Sequence, residues 1–217
     1  MSPLNLSKGR QMTTDIRRLR IYTFVDFWNF QLGLNNNSKE KFPVDWEKLP
    51  IVLLSQINKL FPKDIVSIDE IRVYISYDAN NQSDKKLLNW VNTYLAFLPK
   101  YKIDVKKRHR RKKPIFCSNC KKEIKKCPYC DSPLSGTVEK GVDTSIVTDL
   151  IKLAWNDAYD VGIIISSDAD YVPAANYLGE KGKKIIAAGF PPLGKELRKN
   201  CWAQIDLGKL KEEFRRH

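Results

Sequence analysis

The chain of 217 residues is 42% hydrophobic and 29% charged, enough for a core of its own, and no apolar run approaches the roughly 20 residues of a membrane span. Its formal charge of +13 is concentrated: residues 100–126 hold 13 Lys and Arg against Asp104 and Glu123, whereas the rest of the chain carries 25 basic and 23 acidic residues. So dense a block is poorly explained as a solvated face and points to a polyanion, nucleic acid foremost, with no amphipathic apolar face beside it to suit a membrane.

Residues 1–19 lack periodicity and read as a flexible basic leader without the apolar stretch of a secretory signal, so a cytoplasmic protein is expected. Ile21 to Val25 is β-branched and aromatic, which predicts a first strand ending at Asp26. Phe27, Trp28, Asn29 and Phe30 follow, then Gly33 and the Asn35–Ser38 cluster mark a loop. Trp28 suits core packing more than base stacking. Ile51, Leu54, Ile57 and Leu60 give helical spacing, with Pro62 as a stop. A second strand spans Ile68 to Tyr77 and ends at Asp78, which fits the Asn80–Asn81 turn better than a site. Ser83 is placed as the N-cap of a helix bearing Leu87, Leu88, Val91, Leu95 and Leu98. Lys102 to Val105 forms a third, short strand before the basic block, whose Lys106, Lys107, Arg108, Arg110, Arg111, Lys112 and Lys113 are candidate nucleic-acid ligands.

Cys117, Cys120, Cys127 and Cys130 form two Cys-x2-Cys knuckles in an insertion over 114–135. Four thiolates complete the tetrahedral site Zn²⁺ accepts and leave no open position, which predicts a structural, not catalytic, metal. Disulfides are the alternative, disfavoured by a reducing cytosol. Lys121, Lys122, Lys125 and Lys126 lie between the knuckles, making a basic finger. Cys201 stands apart as a buried, inert thiol.

Lys140-Gly141-Val142-Asp143 then opens a helix carrying Ile146, Val147, Leu150 and Ile151, which Asp143 could cap. Asp149 lies about 120 degrees around that helix from Asp143 and is a secondary candidate. Val161 to Ile165 is a continuous apolar run, as expected of a parallel strand covered on both faces, and it runs into Ser166, Asp168 and Asp170. In open α/β sheets ligands lie outside the carboxyl ends of strands, where these acids fall, although Asp168 could serve only as a helix cap. Tyr171, Ala174, Ala175 and Leu178 continue as a helix. Lys184–Ala188 gives a strand, Gly194–Lys199 a short helix, Trp202–Ile205 an edge strand and 208–217 a polar tail. The alternation predicts a parallel sheet with helices on both faces.

Three blocks carry a resemblance: Val25-Asp26-x2-Asn29, Lys140-Gly141-Val142-Asp143-x5-Asp149-Leu150, and Ser166-x-Asp168-x-Asp170-Tyr171-x-Pro173. In this order they resemble the NYN domain family, PIN-like proteins related to the LabA group, over about 20–207 apart from the finger. Members usually have Gly after the first Asp and Ser-Gly-Asp-Ser-Asp-Phe later; here Phe27, Ser167, Ala169 and Tyr171 stand at the differing positions. The resemblance implies a PIN-like Rossmannoid fold and RNA cleavage. It places Asp26, Asp143 and Asp168 in a catalytic metal-binding core, with Asp170 and Asp149 as supporting acids and Asn29 and Ser166 as polar neighbours. All-oxygen ligands favour Mg²⁺ or Mn²⁺. The expected function is a metal-dependent endoribonuclease acting on single-stranded or structured RNA, with Lys140 joining the basic finger in binding it. A non-catalytic RNA-binding module is the alternative.

Overall fold

Strand by strand, β-branched and aromatic runs pair into one sheet, and apolar helical faces close over both sides of it. The computed structural model describes residues 17–78, 81–98, 102–134, 136–139 and 141–217, with the backbone alone for 102–113 and 136–139. In chain order the elements are β1 (Arg18–Asp26), α1 (Phe27–Asn36), α2 (Lys48–Leu60), β2 (Ile65–Tyr77), α3 (Gln82–Thr93) and β3 (Lys102–Lys113). There follow β4 (Ile115–Phe116), β5 (Glu123–Ile124), β6 (Gly136–Glu139), α4 (Val142–Trp155) and β7 (Val161–Ile165). The chain ends with α5 (Val172–Glu180), β8 (Lys184–Gly189), α6 (Lys195–Asn200), β9 (Ala203–Asp206) and α7 (Leu207–Leu210). The leader read at 1–19 lies outside the described residues as far as residue 16, as does Lys140.

Seven strands form the sheet in the order β6-β3-β2-β1-β7-β8-β9, and β4 pairs with β5 in a separate two-stranded sheet. From β3 to β9 every pairing in the large sheet is parallel; β6 joins β3 antiparallel. The chain winds outward from β1 in one direction and from β7 in the other, so the strand order reverses between these two neighbours. That switch point opens a crevice at the carboxyl ends of β1 and β7.

β7 explains why hydrophobicity there is continuous. Val161, Ile163 and Ile165 enter one core with Phe30 and Leu34 of α1, Leu53 and Ile57 of α2 and Val91 of α3. Ile164 enters the other with Ile146 and Leu150 of α4, Ala175 and Leu178 of α5 and Leu197 of α6. All five β7 residues are buried, as a strand sandwiched between helical layers requires.

Several boundaries differ from the expectation. The loop at Asn35–Ser38 begins inside α1, which runs through Gly33 to Asn36. Asn81, not Ser83, caps α3: its Oδ1 accepts from the N–H of Ser83 (2.8 Å) and Asp84 (3.3 Å). The third strand is 12 residues long, because parallel pairing with β2 continues to Tyr77↔His109 and β6 takes over at Arg110↔Glu139. The basic block is therefore strand backbone. The stretch read as a polar tail carries α7 and a 3-10 turn, and Phe214 is fully buried against Phe30 and Phe42.

Candidate metal centre at the switch point

Parallel pairing sets Val25 opposite Ile165, so the residues that follow, Asp26 and Ser166, emerge together at the carboxyl edge. Asp26 is 7% exposed and caps α1, its Oδ1 accepting from the Asn29 N–H at 3.2 Å. The Ser166 hydroxyl donates to Asp26 Oδ2 at 3.3 Å and accepts the Asp168 N–H at 3.2 Å. Asn29 reaches across the crevice, its Oδ1 accepting from the Ser167 N–H at 2.8 Å. Asp168 accepts from the Asp170 N–H at 3.0 Å, so it does cap the short 3-10 turn Ala169–Tyr171. Capping occupies one oxygen and leaves the carboxylate with acceptor capacity to spare.

Asp143 enters from the other side of the crevice. The cap of α4 is Gly141, at φ 85°, with no side-chain hydrogen bond, and Asp143 sits in the first turn of the helix, not at its cap. There the helix N-terminus favours its charge. One oxygen each of Asp143, Asp168 and Asp170 lies within 4.8 Å of the others, with Asp170 exposed and the other two half-buried. Three carboxylates at this spacing are a donor set for a hard divalent cation.

Tyr171 was not among the residues singled out for the site. Its ring is fully buried, and its hydroxyl donates to Asp143 Oδ1 at 2.8 Å while lying 3.3 Å from Asp26 Oδ2. Burial, and then the charges of Asp26 and Asp143, hold the phenol well above its ordinary range, so it stays a donor. The available signal was the departure from the Phe that usually follows this Asp. A phenol in an apolar helical stripe reads as core, and here it is both core and clamp.

Asp149 stands apart from the cluster. It accepts from the Tyr74 hydroxyl at 2.9 Å and pairs with Arg72 at 3.3 Å, a bonded pair on the α4–β2 contact. The structure thus joins Asp26, Asn29, Asp143, Ser166, Asp168 and Asp170 around one crevice and leaves Asp149 outside it.

Beyond β3, the two cysteine knuckles share one backbone pattern. Cys117 N–H donates to Lys122 O and Lys121 N–H to Cys117 O; Cys127 N–H donates to Ser132 O and Asp131 N–H to Cys127 O. Lys121 and Asp131, the residue after each second cysteine, both have φ near +60°. Among the described residues the four thiols do not form a set within the spacing that the three carboxylates meet. Lys121, Lys122, Lys125 and Lys126 are exposed. Lys106, Lys107, Arg108, Arg110, Arg111, Lys112 and Lys113 lie along β3, whose backbone alone is described. Cys201 is half-buried and burial pushes its thiol up to about 12.

No curated protein matches the chain. A solved structure of a protein of unknown function from Vibrio parahaemolyticus RIMD 2210633 is similar in fold, with a TM-score of 0.55 at 14% identity, covering 94% of this chain and 100% of that one. The family model for the NYN domain matches residues 20–208, which run from within β1 through β9 and take in every residue of the crevice. By that match, with its nuclease-like fold and three-acid cluster, the chain belongs to the NYN domain family.

Proposed function

We propose that the protein is a divalent-metal-dependent ribonuclease, and the convergence of Asp143, Asp168 and Asp170 carries this reading. Unit charges at such spacing repel by about 3 kcal/mol per pair at an effective dielectric near 20, less where Asp170 meets solvent. A fold whose total stability is on the order of 10 kcal/mol keeps such a cluster at a cost, which a bound cation would offset. The three acids would hold Mg²⁺ or Mn²⁺. Such an ion supplies an acidified water and neutralises charge developing on a phosphate.

The chain's own groups divide the remaining work. Tyr171 orients Asp143, and Ser166 ties Asp26 to the Asp168 loop. Asp26 is more buried than Asp143, Asp168 and Asp170 and is bonded by the Asn29 N–H and the Ser166 hydroxyl, so its role on this reading is to hold the negative field and the donors in place. Asp170, ranked as a supporting acid from the sequence, belongs with the front carboxylates on this reading.

RNA as the substrate is supported by sheet register. Asp26 pairs with Tyr74, and Tyr74 with Lys106, which puts the basic strand two strand spacings, roughly 10 Å, from the acidic edge. The matching backbone pattern of the two knuckles supports a structural zinc tetrathiolate that fixes the finger beyond β3. One Zn²⁺ per chain, lost in Cys117→Ser, is the expected metal analysis; zinc-free protein with two disulfides would remove that part.

The second reading, a non-catalytic RNA-binding module, draws on the capping bonds of Asp26 and Asp168, which give both acids a structural use. One experiment separates the two. A mixed single-stranded RNA pool is incubated with Mg²⁺ or Mn²⁺ and with EDTA, using the parent and Asp168→Asn. Asn caps about as well as Asp, so the nuclease reading expects cleavage to fall by orders of magnitude with the fold intact. Equal cleavage by both proteins would remove Asp168 from the reaction, and no cleavage by the parent would leave the binding module.

A further inference from the structure

On the sheet face opposite Asp143 and Tyr171, a pocket of about 420 Å³ opens between α1 and α3. Phe27, Trp28, Trp46 and Trp90 form its walls. Phe27 sets their geometry, standing edge-on to Trp28 at 5.3 Å and parallel to Trp46 at 6.1 Å between ring centroids. Trp28 is held by its indole N–H, which donates to Ser76 O at 2.8 Å at the carboxyl end of β2. Trp28 and Trp90 are half-buried where they line the pocket.

Lys41, Lys86 and Arg216 are exposed around this pocket. Asp84 is the carboxylate among the lining residues; it is buried, and its Oδ2 accepts the Asp78 N–H at 2.7 Å. No ion pair of Lys41 or Lys86 with a carboxylate occurs among the described residues. An apolar aromatic cavity with a cationic rim matches a flat π-system joined to an anion.

The position names which one. Trp28 is two residues after Asp26, so their α-carbons lie within roughly 7.6 Å, and both sit at the carboxyl edge of the sheet. The geometry points to a base-binding subsite: one unpaired nucleobase of the RNA strand enters between Trp28 and Trp90, its neighbouring phosphate meets Lys41, Lys86 or Arg216, and the strand crosses the sheet edge toward the carboxylates. Stacking on aromatic faces is sequence-tolerant, so the subsite selects single-stranded character over base identity. This deepens the ribonuclease reading and rests on it for the choice of RNA.

The test scans one abasic position along a short single-stranded RNA and measures affinity by fluorescence anisotropy in EDTA, with the full chain and its Trp90→Leu variant. Leu keeps apolar volume and removes the ring; far-ultraviolet circular dichroism checks that the variant is folded. One register of the scan should weaken binding to the parent about tenfold, the size of one stacked base, and Trp90→Leu should weaken intact RNA similarly while abolishing the penalty at that register. A flat scan, or additive effects of the two changes, would overturn the subsite, as would unchanged RNA affinity in the variant, the result expected if the pocket takes a peptide. Cleavage is scored separately in Mg²⁺. A position-dependent scan without cleavage removes the nuclease and leaves the subsite, whereas cleavage with a flat scan removes the subsite alone.

Discussion

Tyr171 has one proton to give and two carboxylates within reach, and the hydrogen-bond lengths say where it goes. At 2.8 Å the Asp143 contact has the usual length of an O–H···O hydrogen bond, while the 3.3 Å contact to Asp26 is looser. Ser166 resolves the remainder: its hydroxyl accepts one N–H and turns its own proton to Asp26. Tyr171→Phe keeps the buried ring and deletes the donor. Stability should fall by about 1 to 2 kcal/mol, and Mn²⁺ affinity by roughly tenfold, because Asp143 loses the bond that aims it. Calorimetric titration of Mn²⁺ into the folded variant reads this directly, and parental affinity would show that Asp143 is aimed by other contacts. Since its environment raises the phenol pKa, Tyr171 should stay protonated and place no deprotonation limb on the activity profile up to pH 10.

Gly33 shows at the scale of one helix why patterns mislead. A glycine before an Asn-rich cluster reads as punctuation, yet it lies inside α1, three residues before its end, with the Phe190 ring against it. A Cβ there would come within 2.3 Å of Phe190 Cδ2, so glycine serves the approach of a ring to a helix backbone, not a turn. Gly33→Ala should destabilise by about 1 to 3 kcal/mol, read as a drop in Tm, despite the better helix propensity of Ala. An unchanged or higher Tm would mean that Phe190 swings aside freely. What could be read beforehand follows the same division. β1, β7 and their terminal acids were legible because a buried parallel strand is continuously apolar and its end is marked by polarity. Asp143, Asp168 and Asp170 were legible one by one, while their approach to within 4.8 Å of one another depends on how α4 and the turn after β7 meet in the fold. The length of β3 was hidden because a dense run of charge imitates a loop, whereas this strand is paired by β2 and then by β6 through its backbone. Tyr171 and Phe214 were hidden for a different reason: a polar atom on an apolar ring, and a ring in a charged tail, declare their partners only in three dimensions.

Across the whole molecule, the two ends of the sheet carry opposite electrostatic arrangements. The carboxyl end gathers acids at the crevice between β1 and β7. The amino end closes that same strand pair with ions: Arg20 of β1 binds Asp160, just before β7, through its backbone N–H at 3.0 Å and its Nε at 3.1 Å. Arg17 adds a contact to Asp160 at 3.0 Å, and Asp157 takes Arg20 at 3.0 Å and Lys183 at 2.7 Å. No helix crosses directly from β1 to β7 at the switch point, and this cluster ties the start of β1 to the residues just before β7. Burial alone would raise the Asp160 carboxyl, but the bonds from the Arg20 side chain and backbone outweigh it and leave the group below its ordinary value. A depressed folded pKa means that the stabilisation is present above the unfolded value, near 4, and is lost as pH falls through the folded one. Asp160→Asn removes the charge at similar size. The variant should be about 1 to 3 kcal/mol less stable at pH 7, a difference of several degrees in Tm that stays level down to about pH 5 and then narrows as the parent loses the same charge. Thermal melts of both proteins from pH 7 to pH 3 measure the gap. A gap that persists undiminished at pH 3 would assign the loss to altered packing and not to the ionised carboxylate.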